Sequence, residues 1–194
     1  GDFNDRLLLG VKGTMSVVEL NVLKLRLQEG MQAKARRGEL IRLLPPGYVR
    51  DGEGKVVKDP DTRVREAIEL IFQTFGRLGS IRQAYLWFHA HGVELPVNKR
   101  RGDRMRLVWQ LPSHSFVSHV LHNAFYAGAY VYGQRPCAVK WEEDRLVRRQ
   151  GAPRPAEECP VFIRDHHEGY IGWAEYEEHQ RRMRGNNLRV DPEA

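Results

Sequence analysis

Residues 80–133 read SIRQAYLWFHAHGVELPVNKRRGDRMRLVWQLPSHSFVSHVLHNAFYAGAYVYG, and the patterning of this stretch decides the fold. Ile81, Ala84, Tyr85 and Phe88 recur at helical spacing and predict a helix with one apolar face. Ser80 followed by Gln83 has capping-box form, and Gly92 stands where such a helix ends. A second helix is predicted from about Ser113, with Pro112 defining its entry and Phe116, Val117, Val120 and Leu121 as its inner stripe. Ser115, Ser118, His119 and His122 then share the opposite face, because residues three and four apart are neighbours on a helix. Between the two lies Lys99-Arg100-Arg101-Gly102-Asp103-Arg104-Met105-Arg106, expected as a loop with five cations against one acid. A packed helix pair whose second member shows a polar face beside a cationic loop has the layout of a helix-turn-helix-like DNA reader. A small helical domain with a solvated face has the same layout.

Outward from this stretch, the N-terminal side predicts a long helix from Leu7 to about Arg37, or a short helix running into a longer one at Ser16. Leu8, Val11, Met15, Val18, Val22 and Leu25 are spaced 3, 4, 3, 4, 3, a heptad seam that assigns Val11, Met15, Val18, Val22 and Leu25 to oligomerisation. Beyond it the helix turns basic through Lys34, Arg36 and Arg37, and an extended arm with Arg42 follows Gly38. Such an arm has the chemistry to track phosphates or enter a minor groove. Asp51-Gly52-Glu53-Gly54 predicts a hairpin between residues 47–50 and 55–58. Asp59-Pro60 is expected to open the next helix, with Val64, Ile68, Ile71, Phe72 and Phe75 as its core face and Gly79 as its stop.

On the C-terminal side, residues 126–133 read as a turn into a strand, with Tyr130 and Tyr132 on one face, expected to close a small core rather than to stack on bases. Residues 137–158 read as a loop or an irregular hairpin around Trp141 and Leu146-Val147. A short strand over 161–163, a helix over 173–184 and a linker from Asn186 complete the chain. The fold class is therefore mainly α with small β elements, α+β. Its three segments are a long helix over 1–37, a compact helical domain over 38–135, and a loop–strand–helix–linker region over 136–194.

The 194 residues carry 31 Lys+Arg against 25 Asp+Glu, a net +6 that favours an anionic partner. Cys137 and Cys159 form no CxxC, so neither a disulfide framework nor a zinc ribbon is encoded. No apolar run approaches the ~20 residues that span a bilayer, and a cytoplasmic location is expected. Asp165-His166-His167-Glu168 has metal-ligating side chains, but adjacent histidines on an extended chain point to opposite faces, and no HExxH spacing is present. No nucleophile–base motif, Walker loop or GxGxxG appears, so no catalytic residue, metal or cofactor is assigned.

Several of these residues resemble one family. Asp5 to Ser16 with Glu19-Leu20 is similar to the segment that closes the catalytic domain of large serine recombinases. Gly38-Glu39 and Pro46-Gly47-Tyr48-Val49 resemble the start of their recombinase domain. Trp109, Pro112, Val117, Leu121, Asn123 and 126–133 resemble its most recognisable stretch. Asp165-His166-His167, Tyr170-Ile171, Trp173 and Tyr176 resemble the region before the family's zinc ribbon.

The resemblance implies a DNA-binding fragment of a mobile-element or phage-type site-specific recombinase, recognising an attachment-type site, whose serine-bearing domain lies outside this chain. Ala124 departs from the proline frequent in the family, and His119 from a common basic residue. On this reading Ser115, Ser118, His119 and His122 contact bases, Lys99, Arg100, Arg101, Arg104 and Arg106 grip phosphates, and Lys34, Arg36, Arg37 and Arg42 follow the backbone. Double-stranded DNA is the expected partner, with self-association through the long helix. The competing readings are a helical protein–protein assembly module and a metal-dependent nuclease using Asp165, His166 and His167.

Overall fold

The structure is a computed structural model describing residues 2–41, 43–102, 104–142 and 145–188; side chains are described from Glu19 on, apart from Arg104, residues 138–146, Arg148 and residues 187–188. Two compact units divide it, residues 1–41 and 42–194.

The first unit is helix α1, Asp2–Arg36, continuous across Ser16. It ends where the Gly38 and Glu39 N–H groups close on the Ala35 and Lys34 carbonyls, satisfying two of the acceptors that every helix C-terminus leaves open.

The second unit opens on the hairpin β1 (Tyr48–Arg50) and β2 (Val56–Lys58), as the turn chemistry predicts. Helix α2 follows over Thr62–Leu78, two residues later than Asp59-Pro60 suggested. Asp59 spends its carboxylate on the Asp61 N–H (2.9 Å), and the Arg65 guanidinium binds the Asp59 and Pro60 carbonyls, so that pair forms a turn and Asp61 becomes the cap. Val64, Ile68, Ile71, Phe72 and Phe75 are buried as the 3.6-residue period requires, and Gly79 ends the helix in the left-handed conformation. Helix α3, Ile81–Ala90, starts at Ser80, but the Ser80 hydroxyl makes no cap bond and the capping box does not form.

The expected basic loop is instead a β-hairpin, β3 (Leu95–Arg101) and β4 (Arg104–Gln110), whose register leaves only Gly102 and Asp103 between the strands. Helix α4 spans His114–His122. A 3-10 turn over Ala124–Ala127 leads into β5 (Tyr130–Tyr132), and the hairpin reading of residues 137–158 holds as β6 (Cys137–Glu142) and β7 (Arg145–Gln150). Strand β8 (Val161–Ile163) returns antiparallel to β5, and α5 runs over Trp173–Leu188, extending into the expected linker.

A main core of α2, α3, α4, Leu95 and Tyr126 holds the unit together, and a smaller cluster of Ala124, Ala127, Ala129, Ala156 and Tyr176 stands beside it. The sequence division at 135/136 marks no boundary between compact units. Strand β8 pairs with β5, the Tyr176 hydroxyl donates to the His122 carbonyl (3.0 Å), and Asn186 and Arg182 donate to the Gly79 and Gly76 carbonyls at the end of α2.

Candidate nucleic-acid interface

Strand alternation sorts the hairpin side chains. Leu95, Val97, Lys99 and Arg101 of β3 share one face with Arg106, Val108 and Gln110 of β4. Pro96, Asn98 and Arg100 share the other with Met105, Leu107 and Trp109. Leu95 and Pro96 are buried at the base, whereas Lys99, Arg100, Arg101 and Arg106 are all exposed. The register sets Lys99 opposite Arg106 and Arg101 opposite Arg104, two like-charge cross-strand pairs. Like charges in that position repel and destabilise a hairpin. Among the described residues no carboxylate pairs with Lys99, Arg100, Arg101 or Arg106; the one side-chain hydrogen bond of this group is from Arg100 to the Gly102 carbonyl (3.2 Å). Elsewhere in the unit cations meet acids: Lys55–Glu53, Lys58–Glu168, Arg63–Asp61 and Arg182–Glu178 lie at 2.7–3.0 Å.

Three residues beyond the hairpin, α4 begins at a working cap: the Ser113 hydroxyl accepts the Phe116 N–H (3.2 Å) and meets the Ser115 hydroxyl at 3.0 Å. His89 Nε2 binds the Pro112 carbonyl (2.8 Å), tying α3 to this entry. Val117, Val120 and Leu121 are buried, and the last carbonyls are satisfied from α5 by Gln180 (onto Leu121, 2.8 Å) and Tyr176 (onto His122). The helix is thus fixed at both ends with its polar face outward. On that face Ser115, His119 and His122 are exposed and Ser118 is half-buried. His122 Nδ1 lies 2.8 Å from the Ser118 carbonyl, so that nitrogen carries the proton and Nε2 points away from the helix; Ser118 Oγ sits 3.3 Å from the same Nδ1.

Of the remaining assignments, Lys34 and Arg36 are exposed near the end of α1, while Arg37 is held by a two-pronged pair with Glu39 (2.7 and 2.9 Å) that raises the guanidinium pKa and lowers that of the carboxylate. Arg42 lies outside the described residues, as do the side chains of Arg104, Val11, Met15 and Val18. Val22 and Leu25 are exposed on α1, joined by Leu20, Leu23 and Leu27.

Asp165 to His167 do not form the extended chain that the sequence suggested. Asp165 takes φ 52°, and the turn brings His166 Nδ1 to 3.0 Å from His167 Nδ1. His167 Nε2 faces the Phe125 carbonyl at 2.7 Å and must carry its proton, leaving Nδ1 to accept from His166. Burial lowers the His167 pKa to about 4. These histidines tie the chain to the 3-10 turn, and among the described residues no group of three or more His, Cys, Asp or Glu is placed to hold a metal ion. Tyr130 is buried beside His166 and Tyr132 is half-buried, but it is Val131 between them that packs on the small cluster of Ala124, Ala127, Ala129, Ala156 and Tyr176.

Sequence reasoning missed the exposed apolar row Met105, Leu107 and Trp109 (38–40% exposed), although the alternation of Arg104 to Gln110 carries its signal.

A family profile described as Recombinase matches residues 63–186. Uncharacterized protein y4bA/y4pH of Sinorhizobium fredii (strain NBRC 101917 / NGR234) is 40% identical over 191 residues, 98% of this chain and 27% of that protein, so the chain spans about a quarter of that relative's length. A solved structure described as "Crystal Structure of a LSR-DNA Complex" is alike in fold, with a TM-score of 0.53 at 14% identity, covering 86% of this chain and 39% of that one. Among the described residues no helix is long and apolar enough to cross a membrane. With the profile covering well over half its length, the chain belongs to the recombinase family.

Proposed function

We propose that this chain binds double-stranded DNA as part of a site-specific serine recombinase and recognises an attachment-type site. The observation that carries the reading is the hairpin β3–β4: two like-charge cross-strand pairs, with no described carboxylate beside Lys99, Arg100, Arg101 or Arg106. Self-repulsion of this kind is relieved by an anionic partner, and a polyphosphate backbone supplies regularly spaced anions. The fold shared with a chain crystallised as a complex with DNA supports the same reading.

Lys99, Arg100, Arg101, Arg104 and Arg106 grip phosphates. Ser115, Ser118, His119 and His122 face base edges, with His119 the freest of the four and His122 offering Nε2. Lys34, Arg36 and Arg42 follow the backbone, and Arg37 contributes less because Glu39 already neutralises it.

Fluorescence anisotropy against a random duplex pool at two salt concentrations, with sequencing of the retained DNA, tests this. Five phosphate contacts from the hairpin give a log–log salt slope of about −4.5. Replacing Lys99, Arg101 and Arg106 together by alanine is expected to remove about 2.7 of it and to weaken all sequences alike, whereas His119→Ala shifts the selected sequence. Equal slopes for wild type and triple variant would refute the phosphate assignment. Uniform loss from His119→Ala would refute base reading by that residue.

A second reading has its own observation. Leu20, Leu23 and Leu27, 54–66% exposed, leave α1 with uncovered apolar surface suited to another helix. Concentration-dependent sedimentation tests it, and a monomer at high micromolar concentration would remove it.

A further inference from the structure

The hairpin carries a second set of residues that the phosphate role does not use. Met105, Leu107 and Trp109 stand in one row on β4, 40%, 38% and 39% exposed. Trp109 at the base lies against α2, lining a hollow with Ala67 and Leu70, so the row starts on the core and runs toward the tip. Around its distal end stand cations on both faces of the ribbon: Arg100 on the face of the row, Lys99, Arg101 and Arg106 on the reverse. A solvated ribbon has no reason to keep an apolar row in water between cations that meet no acid among the described residues.

We infer that hairpin β3–β4 enters the major groove of duplex DNA as a two-stranded ribbon, and that Met105 and Leu107 read thymine methyl groups there. The inference rests on the DNA-binding reading above and adds a base-reading element outside α4.

Three physical points carry it. A strand pair of seven residues is about 23 Å long, and the major groove, about 12 Å wide, admits such a ribbon. A ribbon laid with its apolar face on the groove floor has a phosphate backbone along each edge, within reach of long Lys and Arg side chains from either face. The thymine C5-methyl is the apolar group on the major-groove floor, and apolar side chains are its natural readers. A minor-groove wedge would place its apolar residue at the leading point; here the tip is Arg101-Gly102 and the apolar side chains lie along the flank. A protein partner would account for the row but would leave Lys99, Arg101 and Arg106 on the reverse face unmatched.

The test uses duplexes retained by the full chain in the selection above, resynthesised with deoxyuridine in place of thymidine, one position at a time. This removes the methyl and leaves the minor groove and every phosphate unchanged. Wild-type protein is expected to lose roughly fourfold in affinity at one or two positions, the worth of one buried methyl. Met105→Ala or Leu107→Ala is expected to bind more weakly, to be indifferent to uridine at the matching position, and to keep the wild-type salt slope. Both side chains are exposed, so neither variant threatens the fold, and a circular-dichroism melt verifies that.

Duplex binding with a steep salt slope but no uridine-sensitive position, or no enriched sequence, would overturn the inference and leave the DNA reading standing. Uridine sensitivity retained by both variants would move methyl reading to α4 and overturn it equally. Absence of duplex binding at low salt would sink the DNA reading itself.

Discussion

Hairpin β3–β4 and the aromatic cluster around Tyr126 belong to the same unit but hold their residues by opposite means. In the cluster, three buried or half-buried tyrosines each donate to main-chain carbonyls far away in sequence. Tyr126 donates to Pro46 (2.8 Å), Tyr170 to Gly47 (2.6 Å), and Tyr48 to Glu168 (3.0 Å) and Phe125 (3.3 Å). Burial raises all three phenol pKa values, so they remain donors at any working pH. The Tyr170 N–H returns to the Tyr126 carbonyl at 2.7 Å, and His166 N–H to Gly128. These hydroxyls and N–H groups find their partners in distant segments. On the distal half of the hairpin the charged side chains find none within the described residues. One region uses its polar groups within the fold, and the other leaves its cations exposed.

Matched glycines test this division with the largest expected effect. Gly128 and Gly102 both sit at positive φ, 75° and 63°, where an L side chain costs about 1–2 kcal/mol. They differ in what surrounds them. A Cβ on Gly128 would lie 2.6 Å from the His167 carbonyl oxygen, a backbone atom, whereas a Cβ on Gly102 meets nothing within 4 Å. Gly128→Ala is therefore expected to destabilise by about 3 kcal/mol or more, since residues 166–169 must shift, and Gly102→Ala by about 1 kcal/mol. Chemical denaturation of both variants checks the pair. Equal losses would show that the tight approach at Gly128 gives readily and that the cluster is looser than its geometry.

Titration gives the next effect. Burial depresses the folded-state pKa of His167 to about 4, below its unfolded value near 6.5, so the unfolded chain binds more protons between those values. Stability from the neutral imidazole is complete above about pH 6.5 and is lost as pH falls toward 4. Its size is on the order of 2 kcal/mol. His179 is buried against Phe72 and Phe75, and burial lowers its pKa in the same direction. Urea midpoints at pH 7.5 and 4.5 are expected to differ less for His167→Gln than for wild type. An unchanged difference would place the acid sensitivity elsewhere.

The same division sets what the sequence discloses. Helices α2 and α4 were legible because their buried sides repeat every three or four residues and because Gly79 and Ser113 each mark an end; the start of α2 was misplaced, since Asp61 and not Asp59 caps it. Hairpin β3–β4 was not, because consecutive Lys and Arg mask a period of two; Met105, Leu107 and Trp109 show it once Arg104, Arg106 and Val108 are set aside. The cluster was visible as family-like residues around 126–133, 165–167 and 170–176, while its work was hidden. A tyrosine hydroxyl aimed 123 residues along the chain leaves no local pattern. Asp165 at positive φ reversed the inference that neighbouring histidines diverge. The polar face of α4 was readable for the reason its core was: one helix period fixes both sides.

The smallest effect sharpens the comparison most. If the hairpin cations serve a partner, the free protein is better off without them. Lys99→Gln or Arg106→Gln removes one half of a like-charge cross-strand pair while keeping an extended polar side chain. Each is expected to stabilise the free protein by about 0.2–0.5 kcal/mol at low ionic strength. The gain should fade at 0.5 M salt, where the Debye length is only about 4 Å. The double variant should gain no more than either single one, because either removes the same repulsion, and a double-mutant cycle by urea denaturation at two salt concentrations reads that coupling. Destabilisation by more than about 1 kcal/mol would mean that Lys99 and Arg106 support the hairpin, and the contrast with the Tyr126 cluster would collapse. A gain that salt erases, together with loss of DNA affinity in the same variants, would identify residues kept at a cost to the free fold because the bound state uses them.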